Sequence, residues 1–222
     1  MLDAVLFDLD GTLADTAPDL CGTLNILLVE EGRPQQAFSK LRPHTSSGVR
    51  GLLGAGFAIE PTYHDYERLA TRFLDIYSAR LCEQSTLFEG IPALLDTLEA
   101  HGMAWGIVTN KRARFTDPLV AALGLSPRTT CVVSGDTTAE AKPSPLPILH
   151  ACKVLGCAPQ RTLYVGDDRR DIAAGRAAGT LTAAVSYGYL GTNGPPKTWG
   201  ANFLADHPAD LAAFLLTPGG PR

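Results

Sequence analysis

The sequence predicts an α/β protein: a Rossmann-like parallel sheet core carrying an inserted α-helical cap. Three features point there. Four short apolar segments each run into polar or acidic residues, helical patterns lie between them, and residues 16–84 interrupt the alternation with helical periodicity alone.

The first segment, AVLFDLD, is β-type and ends in Asp8 and Asp10, followed by the turn formers Gly11 and Thr12. That reads as a buried strand with polar chemistry at its carboxyl end. MAWGIVTN (103–110), TCVVSGD (130–136) and TLYVGDD (162–168) have the same shape, and LTAAV (181–185) is a further short apolar run. Helices are expected over 91–102, closed by a glycine suited to a C-cap, and over 117–123, 146–155 and 172–178. Such alternation implies right-handed βαβ units and a parallel sheet covered on both faces. Ligands bind beyond the carboxyl ends of strands in sheets of this kind, so the polar tails are expected to converge on one site.

Residues 16–84 are assigned to the cap, and 1–15 with 85–222 to the core. In the cap, 18–31 reads as an amphipathic helix with Leu20, Leu24, Leu27 and Leu28 on one stripe. A longer helix is expected over 63–81, with Tyr66, Leu69, Phe73 and Tyr77 in phase, and the Gly/Ser-rich stretch 43–56 separates the two. An insertion directly after the first strand would hang over the site as a lid. Residues 188–200 read as a long Gly/Pro-rich loop, and the terminal TPGGPR is expected to fray.

The formal charge of −4 gives no basic footprint, so no nucleic acid partner is expected. The five cysteines include no C-x-x-C pair and are read as reduced thiols. No stretch approaches the roughly 20 apolar residues of a membrane span, and a soluble, cytoplasmic monomer or homodimer is expected.

Four motifs appear in order: VLFDLDGTLADT near the start, VTNK at 108–111, AKPSPLP at 141–147 and VGDDRRD at 165–171. Their order and strand-end positions resemble the haloacid-dehalogenase superfamily of phosphohydrolases, over nearly the whole chain. The resemblance implies hydrolysis of a phosphorylated metabolite through an aspartyl phosphate. It also implies Mg²⁺, held by the Asp8 carboxylate, the Asp10 backbone carbonyl and the Asp167 carboxylate, and Lys142 neutralising the nucleophile and the transferring phosphoryl group.

The residues carry physical reasons of their own. Alternate residues of a strand end project the same way, so Asp8 and Asp10 can both face the site. Asp8 would attack phosphorus, and Asp10 would protonate the leaving oxygen and later activate water. Two carboxylates beside a phosphate dianion require a cation, and Mg²⁺ suits oxygen ligands. Thr109 offers a hydroxyl and an N–H to phosphate, and Asn110 adds an amide. Asp171, one helical turn beyond Asp167, either orients a metal water or Lys142, or caps a helix. Asp168 has either a direct role or an outward-facing one, and Arg169 and Arg170 read as a solvated helix face. Lys111, Arg112 and Arg114 either line the rim or are solvated.

Phrases such as LFEG, WGIVTNK and YGYL most resemble bacterial phosphoglycolate phosphatases and N-acetylmuramic acid 6-phosphate phosphatases. The expected substrate is 2-phosphoglycolate, with the muramic acid ester or a phosphomutase reaction as alternatives. Both esters carry a carboxylate, for which Arg50 and Arg42, flanking Ser46, Ser47 and Gly48, are candidate cap cations, with His44 between them. Asp10 argues against a dehalogenase, and a first motif starting at residue 8 argues against a receiver domain. Retention of Asp8, Asp10, Thr109, Lys142, Asp167 and Asp171 argues against a non-catalytic relative.

Overall fold

The computed structural model describes residues 2–129, 131–191 and 194–217; the tail expected to fray lies outside them from Pro218 on. The chain enters through β1 (Ala4–Phe7), every residue of which is buried. A short ribbon strand follows, β2 (Ala14–Asp15), whose antiparallel partner β3 (Thr86–Leu87) is reached only after the helical insertion. The rest of the sheet is β4 (Ala104–Val108), β5 (Val132–Val133), β6 (Thr162–Gly166), β7 (Leu181–Val185) and β8 (Phe203–Ala205).

The six sheet strands are all parallel, in the order β5–β4–β1–β6–β7–β8. The chain therefore builds outward from β1 on one side and then returns to build outward on the other. The ends of β1, β4 and β6 lie at this switch point, where parallel sheets bind ligands. Phe7 pairs with both Ile107 and Val165, which brings the residues after each strand to one level.

Period-two alternation divides β1 between two apolar layers. Val5 and Phe7 pack with α5 (Ile91–Ala100) and α9 (Pro208–Leu216), while Leu6 packs on the other face with α7 (Leu146–Leu155) and α8 (Arg169–Ala178).

The insertion holds α1 (Ala17–Glu30), α2 (Phe38–Leu41), a 3₁₀ turn (Arg42–Ser47), α3 (Gly48–Phe57) and α4 (Tyr66–Ala79). Leu20, Leu24, Leu27 and Leu28 meet Leu69, Phe73 and Tyr77 in a separate buried cluster, to which the core adds Phe115 and Tyr189. Outside this cluster Arg72 and Arg68 pair with Glu30 and Glu31, both at 2.6 Å, and so tie α4 to α1. Asp19 is 1% exposed and accepts from the N–H groups of Gln84 and Ser85, joining the start of the insertion to its return.

The structure adds detail that the sequence pattern leaves open. The Gly/Ser-rich stretch 43–56 forms a 3₁₀ turn and then α3. Their glycines are where neighbours approach: a Cβ on Gly51 would lie 2.4 Å from the His44 carbonyl, and one on Gly56 would lie 2.9 Å from Leu24. The helix α6 (Ala113–Ala122) starts before residue 117, because Asp136 accepts the Ala113 N–H at 2.8 Å and caps it from a distant loop. β8 and α9 were not anticipated.

Candidate active site

Asp8 follows β1 and donates its N–H to Val165 at 2.9 Å, which fixes the residue against β6. The chain then folds back on itself: the Leu9 carbonyl accepts from Leu13 and Ala14, and Gly11 has φ of 86°. A side chain there would be strained, and its Cβ would stand 2.2 Å from Asp167 Oδ2. The turn after β1 is thereby pressed against the acid that follows β6.

Lys142 is 5% exposed and donates to Asp8 Oδ1 at 2.8 Å and to the Val108 carbonyl at 2.9 Å, and pairs with Asp171 Oδ1 at 2.7 Å. Asn110 holds it from behind. Its amide donates to the Lys142 carbonyl and accepts the Lys142 N–H, both at 2.9 Å. One N–H and the oxygen of that amide are thus engaged on the Lys142 backbone, and Asn110 also lines the cavity. Thr109 is buried on the cavity wall, where its hydroxyl accepts the Lys111 N–H at 3.1 Å.

Asp171 takes both of the uses left open for it. Oδ2 accepts the Asp168 N–H at 3.0 Å as half of a capping box, and Oδ1 faces Lys142. Asp168 is the N-cap of α8 and also holds Arg170, its Oδ1 accepting from Arg170 Nε at 2.8 Å. Arg170 in turn donates to the Ser46 carbonyl at 2.5 Å. The expected solvated arginine therefore spans the seam between core and insertion.

Lys111 lies inside. Its Nζ is 2.8 Å from Asp10 Oδ1 and 5.0 Å from the centre of the Tyr77 ring. Thr16 Oγ1 donates to the same Asp10 oxygen at 2.5 Å. Nothing in the sequence pattern told Lys111 from its solvated neighbours; only the fold brings it under α4.

Burial pushes the Asp8 carboxyl up to about 7; Lys142 opposes this, and the charges of Asp171 and Asp10 add to it. Asp167 is pushed well above the usual carboxylate range by burial first, then by Asp8 and Asp171. Burial would lower Lys142, but Asp171 and Asp8 outweigh it and hold its pKa above the ordinary value. Carboxylate oxygens of Asp8, Asp167 and Asp171 lie within 4.8 Å of one another. An all-oxygen set of crowded, buried carboxylates fits a hard divalent cation such as Mg²⁺.

These residues form the floor of a cavity of about 570 Å³. Its roof is mainly Val49, Tyr66, Phe73, Leu74 and Tyr77 from α3 and α4, with Glu67 and Thr71 also lining it, and Arg112 and Arg114 stand at the side. Neither arginine is ion-paired to a carboxylate among the described residues; the Arg114 guanidinium lies 4.5 Å from the Phe115 ring centre. The cap cations expected from sequence point elsewhere. Arg50 is 68% exposed at its side chain and pairs with Glu60 at 3.0 Å. Arg42 donates to the Gly188 carbonyl at 2.9 Å, and neither it nor His44 lines the cavity.

A parallel sheet with an acid cluster at its switch point, roofed by a helical insertion, defines a class of hydrolases. The chain belongs to the haloacid dehalogenase-like hydrolase family, whose model matches residues 5–185. It is 43% identical over 214 residues to an N-acetylmuramic acid 6-phosphate phosphatase of Pseudomonas putida, covering 96% of each chain. It is also 43% identical over 209 residues to a phosphoglycolate phosphatase of Xanthomonas campestris pv. campestris, covering 94% of each. Among solved structures, a predicted phosphoglycolate phosphatase from Haemophilus somnus superposes with a TM-score of 0.83. It is 28% identical, with 95% of this chain and 96% of that one covered.

Proposed function

We propose that this hydrolase is a Mg²⁺-dependent phosphomonoesterase acting on a small phosphate ester that carries a carboxylate. The observation that carries this reading is the convergence of Asp8, Asp10, Thr109 and Lys142 on one cavity floor. An Asp8 oxygen attacks phosphorus, the P–O bond to the leaving group breaks, and Asp10 gives its proton to the departing oxygen. Asp10 then takes a proton from water, which attacks the aspartyl phosphate and releases inorganic phosphate and free Asp8. Lys142 offsets the charge on the nucleophile, and the Thr109 hydroxyl faces the transferring group. The Asp8 and Asp167 carboxylates, with the Asp10 carbonyl, would hold Mg²⁺, which supplies charge neutralisation to the phosphoryl group. Asp171 is committed to Lys142 and to its own helix, which suits a positioning role.

Residues 16–84 act as a cap that excludes water and reads the leaving group, on a core of 1–15 and 85–222. No helix of the described residues is long and apolar enough to cross a membrane, and all five cysteines are free thiols, in keeping with the cytoplasm.

Both 2-phosphoglycolate and N-acetylmuramic acid 6-phosphate satisfy the floor, which touches only phosphate. The cavity volume favours the muramic acid ester. A space of about 570 Å³ under a mainly apolar roof is in the range that takes sugar-sized ligands, whereas a two-carbon acid leaves most of it empty. Arg112 and Arg114 supply cations for the carboxylate of either. The test is phosphate release from both esters and from simple sugar phosphates, with and without Mg²⁺. Preference for the muramic acid ester supports this reading, preference for 2-phosphoglycolate restores the smaller substrate, and release from none overturns the function.

A further inference from the structure

The loop after β7 reaches both the candidate metal carboxylate and the hinge of the cap. Tyr189 is 3% exposed and donates its backbone N–H to Asp167 Oδ2 at 2.7 Å. Its hydroxyl oxygen accepts from the N–H groups of Thr16 and Ala17, at 2.6 and 2.9 Å. Those two residues begin α1, the first helix of the insertion, whose N-cap residue Thr16 makes no side-chain cap of its own. Two of the orphan donors of this helix start thus meet an acceptor more than 170 residues away in the chain, the Ala17 N–H being shared with Asp15 Oδ1 at 3.2 Å.

The rest of the loop leaves Tyr189 little freedom. A Cβ on Gly188 would stand 2.3 Å from the Gly11 carbonyl and 2.4 Å from Asp167 Cβ, so the backbone is pressed directly on the two acid-bearing turns. Leu190 has φ of 62°, a left-handed conformation unusual for a leucine. From the cap, the Arg42 guanidinium lies 5.0 Å from the centre of the Tyr189 ring while it donates to the Gly188 carbonyl.

We propose that Tyr189 is a positioning residue that couples the seating of the cap to the orientation of Asp167. A tilt of α1 about its first turn pulls on the phenol hydroxyl, and the same residue carries the N–H that aims Asp167. Coupling of this kind is reciprocal: what fixes Asp167 steadies the hinge. The inference rests on the reading of Asp167 as a carboxylate that holds Mg²⁺.

Hydrogen exchange of the segment 14–24, measured with Mg²⁺ alone and without it, tests the coupling in the wild type and in Tyr189→Phe. Calorimetric titration of the same proteins reports Mg²⁺ binding. In the wild type, Mg²⁺ slows exchange in this segment about three- to tenfold, the range of one or two hydrogen bonds. Tyr189→Phe loses most of that protection and binds Mg²⁺ more weakly by a comparable factor. A purely structural tyrosine would change exchange equally with and without the metal, and that result overturns the proposal. So does Mg²⁺ binding to the wild type without any added protection, a result that stands even if the variant fails to fold. If no Mg²⁺ binds, the metal assignment falls and the coupling falls with it.

Discussion

The floor of the cavity is held by charge and its roof by apolar packing. Asp8, Lys142 and Asp171 interlock through contacts of 2.7 and 2.8 Å, and Asp10 is shared between Lys111 and Thr16. Above them Tyr66, Phe73, Leu74 and Tyr77 present mostly carbon to the space, with Glu67 beside them, while Arg68 and Arg72 of α4 pair with glutamates on α1. A change on the floor disturbs a network in which every charge leans on another. A change on the outer surface of the insertion meets only water-screened pairs. On the proposed reading the contrast separates the reaction, set below, from the choice of leaving group, set above.

Asp8→Asn tests the floor most severely. Turnover is expected to fall by at least about 10⁴-fold while the protein stays folded, because the proposed nucleophile is gone. Phosphate release above a hundredth of the wild-type rate, in protein shown by mass to retain asparagine, would break the contrast at its root.

The pH dependence of stability is a subtler probe. The Asp8 carboxyl sits at about 7 in the folded, metal-free protein against an ordinary 3.8, with burial as the leading cause. The unfolded chain gives up this proton first, so the stability the group contributes is present below about pH 4 and lost as pH rises through about 7. Asp167 is shifted in the same direction. Melting temperature without Mg²⁺ is therefore expected to decline across that window, and less so in Asp8→Asn. Added Mg²⁺ should raise it more at about pH 7.5 than at about pH 5. An equal Mg²⁺ effect at both would detach the metal from these carboxylates.

Arg50→Ala is expected to do least. Its partner Glu60 is as exposed as it is, so stability should move by less than about 0.5 kcal/mol, and kcat/KM by less than about twofold. A large rise in KM would return Arg50 to substrate recognition and redraw the roof.

Much of the floor was legible in the sequence because each strand carries its own signal. An apolar run that ends in Asp8 and Asp10, in Thr109, or in Asp167 announces both the strand and the end at which its chemistry sits. The stripe of leucines on α1 was equally readable, since burial there follows helical period. What escaped depends on distant partners. Lys111 becomes distinct from Arg112 only once α4 covers it, and Asn110 is committed to Lys142 by a loop 32 residues away. The glycine-rich stretch 43–56 carries no clear helical signal of its own, because Gly51 and Gly56 serve close packing against His44 and Leu24. α9 did leave a trace, with His207 as N-cap, Pro208 in the first turn and Asp210 completing a capping box, a start signal that could have been read.

The ribbon of β2 and β3 has a consequence for how such a protein can diversify. Ala14 faces Leu87 and Asp15 faces Thr86, so the two ends of the intervening chain meet side by side. The strands of the main sheet lie apart from that junction, and the core meets the rest of the insertion through its loops, at Arg170 on Ser46 and at Tyr189 on Thr16. An insertion of another shape can therefore enter and leave at this doorway without moving a strand, provided that it also meets those loops.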